Sequence, residues 1–256
     1  VIYLSIFLSL QIHAGTIKND FLVNDDTTGI CRHYSPAISM NNSGTFVVVW
    51  GDSRDGSDNG DIFGQRYDSE GEPVGSNFKV IDDSLNDYHS TSSVAVADDG
   101  SFFVIWRDGR KKMQSDDGWA IWGQLYDGEG NPVGSNFAVE SLSFDHHAPS
   151  IVTNGTTGYA AVWQAYTTNA WDIYGRLFDI SGNPLGEEFE IAGDQGHEIL
   201  PSATILDNGE ITVVYTCQSG SFSPGDIFGL RLDASGIPEG EVFLVNSDTT
   251  GNQLSA

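Results

Sequence analysis

Five of the six histidines in this 256-residue chain lie at or beside one repeated place. His33, His89 and His146 each stand three residues before Pro36, Ser92 and Pro149, at the entrance of short apolar segments of matching pattern. His147 follows directly, and in a fourth copy Glu198 holds the same place with His197 beside it. Imidazole binds transition metals and titrates near neutrality, so imidazoles and a carboxylate gathered at one mouth can hold a metal or take up protons together. Separations of more than 50 residues match no local metal motif, so this chemistry depends on the fold to bring the groups together. The competing role is structural, each ring bonding the backbone of a neighbouring repeat.

Other candidates lie in loops. Asp52, Asp55, Asp58 and Asp61 crowd one stretch, and Asp108, Asp116 and Asp117 another. Closely spaced carboxylates with glycine suit Ca²⁺, which takes six to eight oxygens, although neither stretch fits an EF-hand and an acidic loop is equally well explained by solvation. No cofactor is required; calcium is the ion expected if one binds. Asp52 with Arg54 and Asp108 with Arg110 repeat a D-x-R step that reads as a structural ion pair, replaced by Gln164 and Gln218 in the later copies. Tyr34, Tyr88, Tyr166 and Trp171 can stack on sugar rings or pack between repeats. The candidate ligand-binding set is therefore His33, Tyr34, Tyr88, His89, His146, His147, His197, Glu198, Tyr166 and Trp171, with the four aspartates from Asp52 to Asp61 as the calcium set. No G-x-S-x-G elbow, H-E-x-x-H pair or phosphate-binding glycine loop is present, and no residue is assigned a catalytic role.

These residues are positioned by a unit that recurs four times at spacings of 52 to 59 residues. Its third strand and following turn read DIFGQRYDSEGEPVGSNF (61–78), AIWGQLYDGEGNPVGSNF (120–137), DIYGRLFDISGNPLGEEF (172–189) and DIFGLRLDASGIPEGEVF (226–243). A central run rich in β-branched and aromatic residues precedes each: TFVVVW (45–50), SFFVIW (101–106), YAAVW (159–163) and EITVVY (210–215). Shorter strands at 36–40, 92–97, 149–153 and 201–206 enter these runs through turn residues and make hairpins. A fourth strand is expected at 78–82, 137–141, 189–193 and 243–247. Strands A to D thus form each unit. Asp68, Gly71, Pro73 and Gly75, and their equivalents, build the C–D turn, while Trp50, Trp106, Trp163 and Tyr215 end strand B as inter-unit packing.

Units of this size are too small to stand alone as sandwich domains, whereas radially repeated four-stranded antiparallel sheets build a propeller. The expected fold is all-β, a β-propeller of four four-stranded blades. The repeats resemble the tandem propeller-type repeats of large secreted or surface bacterial proteins over residues 21 to 256, and more distantly the sialidase-type propeller, whose turn occupies the C–D position. The turns here lack the tryptophan of the true Asp-box, so kinship of fold is implied and sialidase activity is not. The resemblance places strand A innermost, with D–A and B–C loops around one mouth of a central channel.

Residues 1–14 read as a signal peptide, and 15–256 as repeats bounded near 21–77, 78–136, 137–188 and 189–242, with a fifth beginning at 243. FLVNDDTTG (21–29) and FLVNSDTTG (243–251) give five D strands against four sets of A, B and C, the expected mark of part of a larger propeller. With 36 acidic and 11 basic residues, a net charge of −25 excludes a basic nucleic-acid or lipid face. No apolar run is long enough to span a membrane. Cys31 and Cys217 are expected either as one bridge or as two free thiols. The function expected is a secreted or cell-surface binding, adhesion or scaffold module without its own catalytic centre, meeting an extracellular polysaccharide or surface protein. The alternative is a glycoside hydrolase or polysaccharide lyase of the propeller type.

Overall fold

A computed structural model describes residues 21–26, 31–54, 60–82, 87–110, 118–193, 196–218, 225–247 and 253. The predicted signal peptide lies outside them, as do Asp55, Asp58, Asp116 and Asp117. Sixteen strands among the described residues form four antiparallel sheets, each a meander of four consecutive strands. Blade 1 comprises β1 (His33–Met40), β2 (Phe46–Asp52), β3 (Asp61–Tyr67) and β4 (Pro73–Lys79). Blade 2 comprises β5 (His89–Val96), β6 (Phe102–Asp108), β7 (Ala120–Tyr126) and β8 (Pro132–Ala138). Blade 3 holds β9 (Asp145–Thr153), β10 (Gly158–Tyr166), β11 (Trp171–Asp179) and β12 (Phe189–Ala192). Blade 4 holds β13 (His197–Ile205), β14 (Ile211–Gln218), β15 (Asp226–Leu232) and β16 (Phe243–Leu244). The fold is a β-propeller arc, with β1, β5, β9 and β13 innermost and adjoining in sequence order. No helix of the described residues is long and apolar enough to cross a membrane.

Strand B of blades 2 and 3 is buried on both faces, as its run of β-branched and aromatic residues requires, whereas in blades 1 and 4 one face of it is only partly covered. Three apolar clusters fill the spaces between blades. Val47, Val49 and Ile62 meet Val94, Val96 and Val104 between blades 1 and 2; Phe103 and Ile105 meet Ile151 and Ala161 in the next space, and Ala160 and Val162 meet Val213 in the third. Trp106 and Trp163 are wholly buried, but strand B runs on past each of them, to Asp108 and Tyr166.

The turn chemistry follows the side chains. Asp68 Oδ1 accepts the N–H groups of Glu70 and Glu72, and Asp127, Asp179 and Asp233 repeat the pattern. Strand D departs from expectation: in blades 1 and 2 it starts at Pro73 and Pro132, five residues early, because Val74 and Val133 pair back onto strand C before a bulge. Gly75, at φ +75°, makes that bulge without steric cost.

Candidate functional site

At the mouth formed by the D–A and B–C loops, strand A enters opposite the end of strand B. His33 pairs with Asp52, His89 with Asp108, His146 with Ala165 and Glu198 with Cys217. A bulge follows in each strand, and one non-glycine residue per blade takes the left-handed region: Ser35 (φ +49°), Thr91 (+47°), Ala148 (+48°) and Leu200 (+55°). Such residues are uncommon there, and a β-branched one such as Thr91 costs most. The bulges place two strand-A residues opposite one of strand B, which turns the preceding position between the blades instead of into the channel.

His89, His146 and Glu198 are consequently buried. His89 Nδ1 lies 3.3 Å from the Gly60 carbonyl and 3.4 Å from Asp61, both of blade 1, while Nε2 lies 3.5 Å from Asp108 of its own blade. His146 packs against the rings of Phe144 and Trp163. Glu198 accepts the Cys217 thiol at 3.4 Å. Only His33 of this set is open, 3.3 Å from Asp52, and Tyr34 donates its hydroxyl to the His89 carbonyl. Among the described residues, no group of three or more His, Cys, Asp or Glu is arranged to hold a metal.

The two calcium-set aspartates that are described are already committed. Asp52 accepts Trp50 Nε1 at 2.9 Å and Arg54 through both its backbone N–H and its guanidinium. Partial burial opposes its ionisation, but the Arg54 and Trp50 hydrogen bonds win and hold its pKa below the ordinary value. Asp61 pairs with Lys79 at 2.7 Å. Asp108 and Arg110 repeat the pair of Asp52 and Arg54. Their charges are thus satisfied by protein, so these carboxylates are not left open for a cation.

The surface that does stay open is aromatic. Rings run edge to face from Tyr88 to Trp119 (5.4 Å), His147 (6.5 Å) and Trp171 (4.9 Å), and on at a tilt to Tyr166 (5.2 Å), crossing from blade 2 to blade 3. Tyr88 and Tyr166 are exposed at the two ends. Arg107 lies over the Trp119 ring at 3.9 Å. Beneath the shelf, Asp145 Oδ1 accepts the Trp119 N–H at 2.9 Å and His147 Nε2 at 3.1 Å. Partial burial works against its charge; the bonds from His147 and Trp119, with the positive fields of His147 and Arg107, outweigh it and keep Asp145 ionised below the usual carboxylate range. Burial pulls Arg107 down in turn, opposed by Asp145 and Tyr88. His197, at the position equivalent to Asp145, accepts the Trp171 N–H through Nδ1 at 3.2 Å.

The structure therefore gathers Tyr88, His147, Trp171 and Tyr166, with His197 bonded to Trp171, and sets the others apart: Tyr34 and His89 in contacts between blades 1 and 2, His146 and Glu198 buried, and His33 beside Asp52. Trp119, Asp145 and Arg107 were missed. The signal for Trp119 was its place directly before strand C, the place Trp171 holds one repeat later. Cys31 and Cys217 do not form a disulfide with each other, and burial together with Glu198 pushes Cys217 up to about 12.

The arc belongs to the β-propeller class, and its solved structural relatives carry the sugar chemistry into view. An α-L-arabinofuranosidase from Lactobacillus brevis superposes with a TM-score of 0.51 at 10% identity, over 80% of this chain and 74% of that one. An α-L-arabinanase from Penicillium chrysogenum, solved with arabinobiose, gives 0.55 at 16% identity, over 82% of this chain and 60% of that one. No family model and no curated relative matches the sequence. These likenesses correct the expectation of a non-catalytic adhesion or scaffold module. That expectation read every recurring residue as turn or packing, yet the same architecture is found in an α-L-arabinofuranosidase and an α-L-arabinanase. The propeller of tandem four-stranded repeats stands, whereas nothing adds weight to the sialidase likeness.

Proposed function

We propose that this chain is a propeller of the glycoside hydrolase type, acting on an extracellular polysaccharide at the mouth between blades 2 and 3. The observation that carries the reading is the shelf of Tyr88, Trp119, His147, Trp171 and Tyr166, open at both ends and spanning two blades. Aromatic rings offer apolar faces to the C–H faces of sugars while their edges and neighbouring polar groups bond hydroxyls. Asp145 supplies one of the two carboxyl groups that glycoside hydrolysis uses, the ionised one, as base or charge stabiliser beside an oxocarbenium-like centre, while a second, protonated carboxyl group has to deliver the proton to the leaving oxygen. Arg107 and His147 hold it charged. The likeness to an arabinofuranosidase and an arabinanase supports a plant-type glycan as the first substrate class to try.

The test is reducing-sugar release from a polysaccharide panel that includes arabinan, with Asp145→Asn and Trp171→Ala beside the parent. Asn keeps the acceptor for the Trp119 N–H, so the fold is retained while the charge is lost. Turnover that falls at least about 100-fold in Asp145→Asn, with weakened polymer binding in Trp171→Ala, is expected. Activity untouched by both changes would remove the shelf from the reaction.

A further inference from the structure

Blades 2 and 3 bury the repeat position after the strand-A bulge against the blade before them, and blade 4 partly buries its equivalents Ala203 and Ile205 over a buried Val213. Val94 and Val96 are 4% exposed, Ile151 is 3% exposed, and Val104, Ala161 and Val213 are buried with them. The corresponding residues of blade 1, fixed by the pairing of Ile38 with Val48, are Ile38, Met40 and Val48. Ile38 is 62% exposed and Met40 59%. A cavity of about 170 Å³ lies open over Val48 and Trp50, walled by Val23, His33, Tyr34 and Pro36.

A second observation concerns residues 21–25. Asn77 Nδ2 donates to the Val23 carbonyl at 3.2 Å and Asn77 Oδ1 accepts the Asp25 N–H at 2.8 Å; Asn136 makes the same bonds to Val80 and Asp82 at 3.2 and 2.9 Å. Phe21 lies 5.4 Å from Tyr67, as Phe78 lies 5.4 Å from Tyr126. Residues 21–25 therefore seat on blade 1 as 78–82 seat on blade 2. The segment around Phe78 has a second side, however: Phe78 pairs with Gly64 and the Val80 N–H donates to Ile62, which makes it the outer strand of the preceding blade. Val139 and Val245 donate in the same way to Ile121 and Ile227.

We propose that the open face of blade 1 receives a further A–B–C unit of this repeat pattern from the same polypeptide, with Phe21–Val23 as its fourth strand. Such a unit presents a Val-x-Val and Ile face to Ile38 and Val48, a glycine beneath Phe21, and an isoleucine carbonyl to the Val23 N–H. A second copy of the chain does not fit: β15 of blade 4 already carries β16 as its outer strand, and blades 1 to 3 are likewise complete. The occupant must lack a D strand of its own. Seated there, it separates blade 1 from blade 4 and walls the remaining side of the channel mouth.

The test extends the chain after Asn252 with a copy of its own A–B–C unit, residues 31–68 in one version and 87–127 in another. The expected result is a monomer with a raised Tm and amide exchange at Phe21–Val23 slowed by about tenfold or more in at least one version. Phe21→Ala should cancel that gain in the extended chain. Two extended chains with unslowed exchange would overturn the proposal. So would a parent chain that dimerises and protects the same amides, which would assign the face to a second copy.

Discussion

Replacing Asp108 by Asn should be among the most damaging single changes on this chain. The carboxylate is fully buried and accepts Trp106 Nε1 at 2.8 Å, the Arg110 N–H at 2.8 Å and the Arg110 guanidinium at 2.9 to 3.0 Å. Arg110 is itself buried, its side chain 9% exposed, and it stacks on Trp122 at 3.8 Å. The amide leaves that guanidinium as a buried charge short of its counter-ion and turns one of its own donors toward donors. Breaking one partner of a buried pair costs about 3–5 kcal/mol. For a chain of this size that corresponds to a Tm lower by about 6–20 °C. Asp52→Asn should cost less, because the Arg54 side chain is 19% exposed and recovers part of its hydration. Thermal unfolding followed by far-ultraviolet circular dichroism ranks the variants. The double variant Asp108→Asn, Arg110→Met should recover most of the loss, since the orphaned charge is gone. A double variant as unstable as the single, or an Asp108→Asn loss under about 1 kcal/mol, would refute the reasoning.

The two thiols should differ in reactivity: at pH 8, iodoacetamide should modify Cys31 in the native chain and leave Cys217 untouched, which intact mass reads directly. Because the folded-state pKa of Cys217 is raised to about 12, its contribution to stability is complete below about 8.5 and fades as pH rises toward 12, so Cys217→Ser should flatten an alkaline stability profile. Asp145 has the opposite sign: its folded-state pKa is depressed, so its contribution is present above about pH 4 and lost on acidification below that, a loss absent from Asp145→Asn. Gly64→Ala should lower Tm markedly, since an added Cβ would stand 2.7 Å from the Phe78 ring in a packed blade edge.

Much of the architecture was legible because the repeat writes its turns in residues with one physical use. Asp68 caps backbone donors, Gly71 takes positive φ, and the apolar runs that lead to Trp50, Trp106 and Trp163 mark strand B. The start of strand D was hidden because Pro73 reads as a turn breaker, yet at the first pair of a hairpin its missing donor is no cost. The mouth was harder. His33, His89 and His146 were visible at one repeat position, but their direction depends on a bulge that reverses side-chain parity, and nothing in Ser35, Thr91, Ala148 or Leu200 announces a left-handed residue. Trp119 follows a loop of irregular length, so counting from strand B never aligned it with Trp171.

Each sheet is a meander of consecutive strands, and each blade packs on its sequence neighbours. For an all-β chain this confines contacts largely to one blade and its sequence neighbour, so loop-closure entropy is bounded by the repeat length and no distant segment must be found before packing begins. Any adjacent pair of blades can serve as the nucleus, with order spreading along the chain one interface at a time. Destabilising one interface should then detach whole blades from the nearer end, giving stepwise unfolding in place of a single cooperative collapse.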